Sequence, residues 1–183
     1  MTTTFIGGGK MGEAILSGMI AAGTHPNDIV VVEKLPERSA DLARRHHVRV
    51  IGLEDGVAEA DTVIIAVKPQ GFDEALIAMR PHLRTGAVVI SIAAGKTLAT
   101  MERLLPGAHC IRCMPNTPAL VGEGMTAFSK GTHATDDDLG AARAILATVG
   151  KTVIIPEALQ DAMTSMHGSG PDRKSTRLNS SHT

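Results

Sequence analysis

The chain of 183 residues contains no tryptophan, no tyrosine and only three phenylalanines. Without aromatic platforms there is nothing on which bases can stack, which speaks against nucleic-acid binding. Neither sign of charge dominates. Eighteen Lys and Arg stand against 19 Asp and Glu, a formal net charge of −1 that exerts no broad pull on phosphate backbones or anionic lipid. No apolar run approaches the ~20 residues needed to cross a bilayer. The opening MTTTFIGGG has neither the basic nor the apolar region of a secretory leader. These absences imply a cytoplasmic protein that engages neither nucleic acid nor membrane.

Cysteine is also scarce. Cys110 and Cys113 form one C-x-x-C, a spacing shared by redox pairs and zinc half-sites. The surrounding HCIRCM reads as a strand, where residues three apart point to opposite faces and share neither a metal nor a disulfide easily. Two ordinary strand cysteines and no metal are expected. His46 and His47 lie in the charged helical stretch ARRHHV, which suits a solvated face better than a ligand pair.

What the chain does have is 43% apolar residues, arranged so that short β-branched runs alternate with helical stretches. That alternation marks a parallel sheet covered on both faces. The runs TTFI, IVVVE, VRVI, TVIIAV, AVVISI and HCIRCM read as strands. Helices are expected around Met11–Ala22, Pro36–Arg45, Phe72–Met79 and Leu98–Leu104, with a weaker turn near Asp55–Ala60. Beyond Pro118 follow the strand MTAFSK, a helix over Asp136–Val149 whose acidic start suits its dipole, and a last strand TVIIP. The expected fold is α/β: a doubly wound, Rossmann-type, mainly parallel sheet with helices on both faces.

Directly after the first strand, Gly7, Gly9 and Gly12 of FIGGGKMGEAI match G-x-G-x-x-G at the opening of a helix. Gly7 permits the tight turn, Gly9 lets the backbone approach a pyrophosphate, and Gly12 lets helix and strand pack closely. The helix N-terminus then offers its free amides to the anion. Glu33 closes the second strand, 21 residues after Gly12, near the offset at which an acid receives ribose hydroxyls, which favours NAD. Lys34 and Arg38 follow at once, however, and a cation there could hold a 2′-phosphate with Glu33 turned aside. NAD and NADP both stay open.

Ligands of open α/β sheets bind beyond the carboxyl ends of the strands. The fourth strand ends in AVKPQ, where Pro69 forces Lys68 into extended backbone and presents Ala66–Lys68 to a ligand. The fifth ends in SIAAGKT, whose Ala93, Ala94 and Gly95 are small enough for a nicotinamide ring to lie against. The sixth ends in RCMPNTPALVGEGMTAF. There two prolines bracket Asn116 and Thr117, and Asn116 offers both a donor and an acceptor.

Together, FIGGGKMGEAI, AVKPQ, VVISIAAGKTL, IRCMPNTPALVGEGMT and GSGP resemble, in order and context, the pyrroline-5-carboxylate reductases from about residue 4 to Pro171. The resemblance implies NAD(P)H-dependent reduction of the cyclic imine 1-pyrroline-5-carboxylate to L-proline, the last step of proline synthesis. Carried across, the implied cofactor contacts are Ile6, Gly7, Gly8, Gly9, Lys10, Met11 and Gly12, then Ala66, Val67, Lys68 and Pro69, then Ala93, Ala94 and Gly95. Asn116 falls near the nicotinamide end, and Glu33 and Lys34 at the ribose end. Lys10 stands where the family usually has Asn or Gln, and Leu53 near a position often polar, so adenosine recognition is expected to differ in detail.

The family also implies that residues 1–157 are the NAD(P)-binding domain and 158–171 the start of an all-helical C-terminal dimerisation domain. That domain makes a homodimer or higher homo-oligomer and carries much of the substrate site. After GSGP, DRKSTRLNSSHT lacks apolar periodicity and resembles translated sequencing adapter. Residues 172–183 are therefore expected to be a non-native tail, the helical domain to be missing, and no catalytic residue to lie in this chain. The apolar side of Ala158–His167 is expected to be exposed. Two other functions compete: a relative such as an F420-dependent NADP reductase or prephenate dehydrogenase, and a dinucleotide-binding module without chemistry. MPNTPALVGEGMT argues against the first.

Overall fold

A computed structural model describes residues 1–163 of the protein; the expectations for GSGP and the tail lie outside them. Eight strands form one sheet in the order β3-β2-β1-β4-β5-β6-β7-β8. They are β1 (Thr3–Ile6), β2 (Ile29–Val32), β3 (Arg49–Val50), β4 (Thr62–Ile65), β5 (Val88–Ser91), β6 (His109–Met114), β7 (Gly124–Lys130) and β8 (Gly150–Ile154). Every neighbouring pair is parallel except β6 and β7, which run antiparallel with Met114 opposite Ala127. The mainly parallel sheet is as expected. Its antiparallel joint follows from the short loop 115–123, which can turn the chain back but cannot make the long crossover that a parallel neighbour needs.

Consecutive residues of the central strands enter opposite layers. Phe5, Ile64, Ile90, Ile111 and Cys113 join one core with Ile15, Leu16 and Met19 of α1 (Lys10–Ala21), Leu42 of α2 (Pro36–His46) and Leu139, Ala142 and Leu146 of the later helix Asp136–Leu146. Ile6, Ile65, Val89 and Cys110 join the other. On that side lie α3 (Leu53–Ala58), α4 (Phe72–Met79) and α5 (Leu98–Leu104), contributing Val57, Phe72, Leu76 and Met101. Each of the Val, Leu, Ile, Phe and Met side chains among them, where fully buried, contributes roughly 1.5–3 kcal/mol. With Asp136–Leu146 as α6, the short α7 (Gln160–Met163) completes the described helices.

Several bounds differ from those expected. β3 keeps only two ladder residues, because as the sheet's edge it pairs with β2 alone, and α3 is a true helix reaching back to Leu53. β4 stops at Ile65, two residues short of the expected end at Val67, where the Gly7 turn crowds the Ala66 carbonyl. α6 ends at Leu146, its last turn tightening into a 3-10 segment Ala147–Val149. The two cysteines occupy opposite cores, unpaired and buried. His46 is not on a solvated face: its Nε2 lies 2.8 Å from Glu13 Oε1. His47 ends α2 in left-handed backbone, φ 57°.

The segment after β8 departs furthest from expectation. Leu159 is exposed as anticipated, but the residue facing the sheet is a polar one, Gln160, fully buried, with Nε2 donating to Ser129 Oγ at 3.1 Å. Arg112 of β6, only 3% exposed at its side chain, pairs with Glu157 at 3.2 Å and Asp161 at 2.7 Å. Glu157 also accepts the Leu98 amide at 2.7 Å. A buried guanidinium must be paired to be tolerated, so Arg112 draws this acidic segment onto the sheet.

Candidate functional site

Between β1 and β4 the strand order reverses direction, the place where doubly wound sheets open a crevice at their carboxyl edge. A cleft of about 620 Å³ lies there, lined by Ile6, Gly7, Gly8, Gly9, Glu33, Lys34, Ala66, Val67 and Lys68 among the residues singled out from sequence. The glycines adopt the anticipated geometry. Gly7 turns with φ +98°, and a Cβ on it would stand 2.9 Å from the Ala66 carbonyl oxygen. A Cβ on Gly12 would stand 3.0 Å from the Gly7 carbonyl and 3.2 Å from the Ala66 methyl, so α1 sits tight on the turn. A Cβ on Gly9 would meet nothing within 4 Å. Gly9 is also the N-cap of α1, with no side chain capping that end. A 12-residue helix thus starts without a capping side chain beside open space at Gly9, which suits an anion.

Glu33 is turned toward the glycine turn. Its Oε2 accepts the Gly8 amide at 2.8 Å and its Oε1 the Leu35 amide at 3.0 Å. Arg38 does not reach into the cleft. Its Nε donates to the Gly8 carbonyl at 2.7 Å, Nη2 to Glu13 at 2.6 Å and Nη1 to Asp41 at 3.2 Å. The carboxylates offered by α1 and α2 have captured it. Lys34 is 88% exposed and meets Glu74 at 3.1 Å, a pair that solvent weakens.

The other sequence candidates lie around this cleft. Lys10 is exposed at the first turn of α1, Met11 packs on the core, and Gly12 is buried beneath the turn. Pro69 opens a 3-10 turn, with Lys68 extended at φ −62°, ψ 149° as expected. Ala93, Ala94 and Gly95 follow β5 and do not line the cleft; Gly95 turns with φ +71° and is exposed with Ala94. Since Ile65 pairs with Ser91, they lie beside the end of β4 on the same sheet edge. Asn116, 8% exposed, follows β6, and its Oδ1 accepts the Met125 amide at 2.8 Å. That bond fixes the amide orientation and leaves Nδ2 as the donor.

Sequence reasoning missed Ile51, Gly52, Gly71, Glu74, Ala75 and Ala78 on the cleft wall. The strand-end rule could have found Ile51 and Gly52, which follow β3. The face of α4 had no such signal, since only packing brings it over the edge.

Residues 2–95 match the family described as NADP oxidoreductase, coenzyme F420-dependent. A pyrroline-5-carboxylate reductase from Mycobacterium tuberculosis is 40% identical over 174 residues, 91% of this chain and 59% of that protein. The chain thus spans about three-fifths of that relative's length. The solved pyrroline-5-carboxylate reductase from Coxiella burnetii superposes with TM-score 0.93 at 30% identity, covering 98% of this chain and 68% of that one. A Plasmodium falciparum pyrroline carboxylate reductase, solved with NADP bound, gives 0.87 at 23% identity over 98% of this chain and 67% of that one, a likeness of fold. Glycine turn, strand order and the likeness that runs on well past residue 95 converge: the chain belongs to the pyrroline-5-carboxylate reductase family.

Proposed function

We propose that the cleft holds NAD or NADP and that the protein works in the reduction of 1-pyrroline-5-carboxylate to L-proline. One observation carries this: the open space before Gly9 and the uncapped start of α1, inside a cleft of dinucleotide size. Gly7–Gly9 and the amides of Lys10 and Met11 would receive the pyrophosphate. Glu33, Lys34 and the apolar wall Val32, Ile51 and Leu53 would receive the adenosine. Ala93–Gly95 would leave room for the flat nicotinamide, with Asn116 Nδ2 as a donor beside it. Bound there, the reduced cofactor supplies the hydride that converts C=N to C–N. The chain's own part is to hold one reactant in place and keep its charges compensated.

Holding the imine needs groups facing the nicotinamide from the other side, and the chain spans 59% of the M. tuberculosis relative. Proline formation by the 183-residue chain alone is therefore expected to fall well below that of the intact enzyme. We take the intact enzyme to be a cytoplasmic homodimer or higher homo-oligomer acting on a small molecule, with neither nucleic acid nor membrane as partner. No helix among the described residues is long and apolar enough to cross a membrane.

Calorimetric titration of the chain with NADH and NADPH tests the cofactor site. Binding of at least one is expected, weakened roughly ten-fold or more in Gly9→Ala, whose methyl would intrude on the anion. The substitution itself is expected to cost no more than about 1 kcal/mol of stability. Absence of binding by either dinucleotide would overturn the assignment.

A further inference from the structure

We propose that the ribose end of this cleft selects NADH against NADPH, with Glu33 as the residue that excludes a 2′-phosphate. The inference rests on the cleft being a dinucleotide site and goes beyond it by choosing between two cofactors that differ by one phosphate.

Glu33 lines the cleft directly after β2. Two backbone amides hold its carboxylate, Gly8 on Oε2 at 2.8 Å and Leu35 on Oε1 at 3.0 Å. An ionised carboxylate is an acceptor only, with about four lone-pair sites. Two remain, and they match the hydroxyl donors of an unphosphorylated ribose. A 2′-phosphate brings two further negative charges and no donor to the same place. Turning Glu33 aside would break both amide bonds and leave the Gly8 amide unpaired beneath the turn.

Of the two cations that could compensate, Arg38 is already committed. Arg38 is tied to the Gly8 carbonyl, Glu13 and Asp41, within a cluster in which Arg44, Arg45 and His46 reach the same two carboxylates. Lys34 stands in solvent beside Glu74. Apart from Lys34, the wall around Glu33 is Val32, Ile51 and Leu53, which carry no side-chain donor. Like charges brought together in a partly enclosed site discriminate by an order of magnitude or more.

The test is equilibrium binding of the 183-residue chain, followed by nicotinamide fluorescence, which the absence of Trp and Tyr leaves unobscured. NADH is expected to bind about ten-fold or more tightly than NADPH. ADP is expected to exceed 2′,5′-ADP in the same sense by calorimetry, a comparison that needs no variant. Glu33→Gln, which keeps size and one acceptor, is expected to shift the NADPH-to-NADH affinity ratio about ten-fold or more toward NADPH. NADPH binding as tightly as NADH in the wild type, or a ratio unmoved by Glu33→Gln in a folded variant, would overturn the proposal while leaving the dinucleotide site intact. Failure of both dinucleotides to bind would remove the site itself, and the proposal with it.

Discussion

Glu13 sits where α1 meets α2, facing Arg38, Arg45 and His46. Burial opposes its charge. The hydrogen bonds from His46 and Arg38, and the charges of Arg38 and Arg45, outweigh that and hold its carboxyl below the usual value of 4.5. A carboxyl depressed by folding stabilises the native state above its unfolded pKa, and that contribution is lost as pH falls through the folded value. Urea unfolding across pH should therefore show stability declining below about pH 4.5, with Glu13→Gln less stable at neutral pH and flatter on the acid side. The two cysteines lead to a second expectation at this scale. Burial, then the Glu102 charge, pushes the Cys110 thiol up to about 12, and burial raises Cys113 well above its usual value. Thiolate is the reactive form. A disulfide reagent at pH 8 should thus label neither while the chain is folded, and both at the rate of unfolding. The roles of Gly7 and Gly12 were legible in sequence because a glycine's use is set by its own backbone. The direction of Glu33 and the capture of Arg38 by Glu13 were not, since the Gly8 amide and the Glu13 carboxylate arrive from other turns of the fold, whereas Asp41 is simply three residues along α2.

Helix α6 shows how an element carries its own boundaries. Thr135 accepts the Asp138 amide, Asp138 accepts the Thr135 amide in return at 2.7 Å, and the pair closes a capping box. His109 of β6 meets the same carboxylate at 2.7 Å, which ties the start of the helix to the sheet. Burial resists the charge of Asp138, but the Thr135 and His109 hydrogen bonds prevail and its carboxyl is lowered. Thr135→Ala is expected to cost about 1 kcal/mol, read as a shift of the denaturation midpoint with unchanged slope. An acidic run after a threonine announces such a helix in the bare sequence. Strand ends are less legible. β4 stops where Gly7 approaches Ala66, and β3 shortens because nothing pairs with its outer edge, and both causes lie in neighbouring chain segments.

Across the molecule, the sheet separates two cores, and Arg112 of β6 bridges the sheet to the segment that follows β8. Glu157→Ala would leave that guanidinium, 3% exposed, with Asp161, itself 78% exposed, as its one carboxylate among the described residues. A loss of about 2–4 kcal/mol is expected, measurable by urea unfolding, and Arg112→Met added to it should restore part. The alternation of β-branched and helical runs, the glycine spacing and the proline-bracketed loop determined by themselves the doubly wound fold, the crevice at its carboxyl edge and the family, because period and backbone freedom are local properties. Only the tertiary structure decided that Glu33 faces the glycine turn, that Arg38 is captured by Glu13, and that a buried Gln160 docks the last described turn. Charge and hydrogen-bond partners are chosen by what packing brings within about 3 Å, and no spacing along a chain records that.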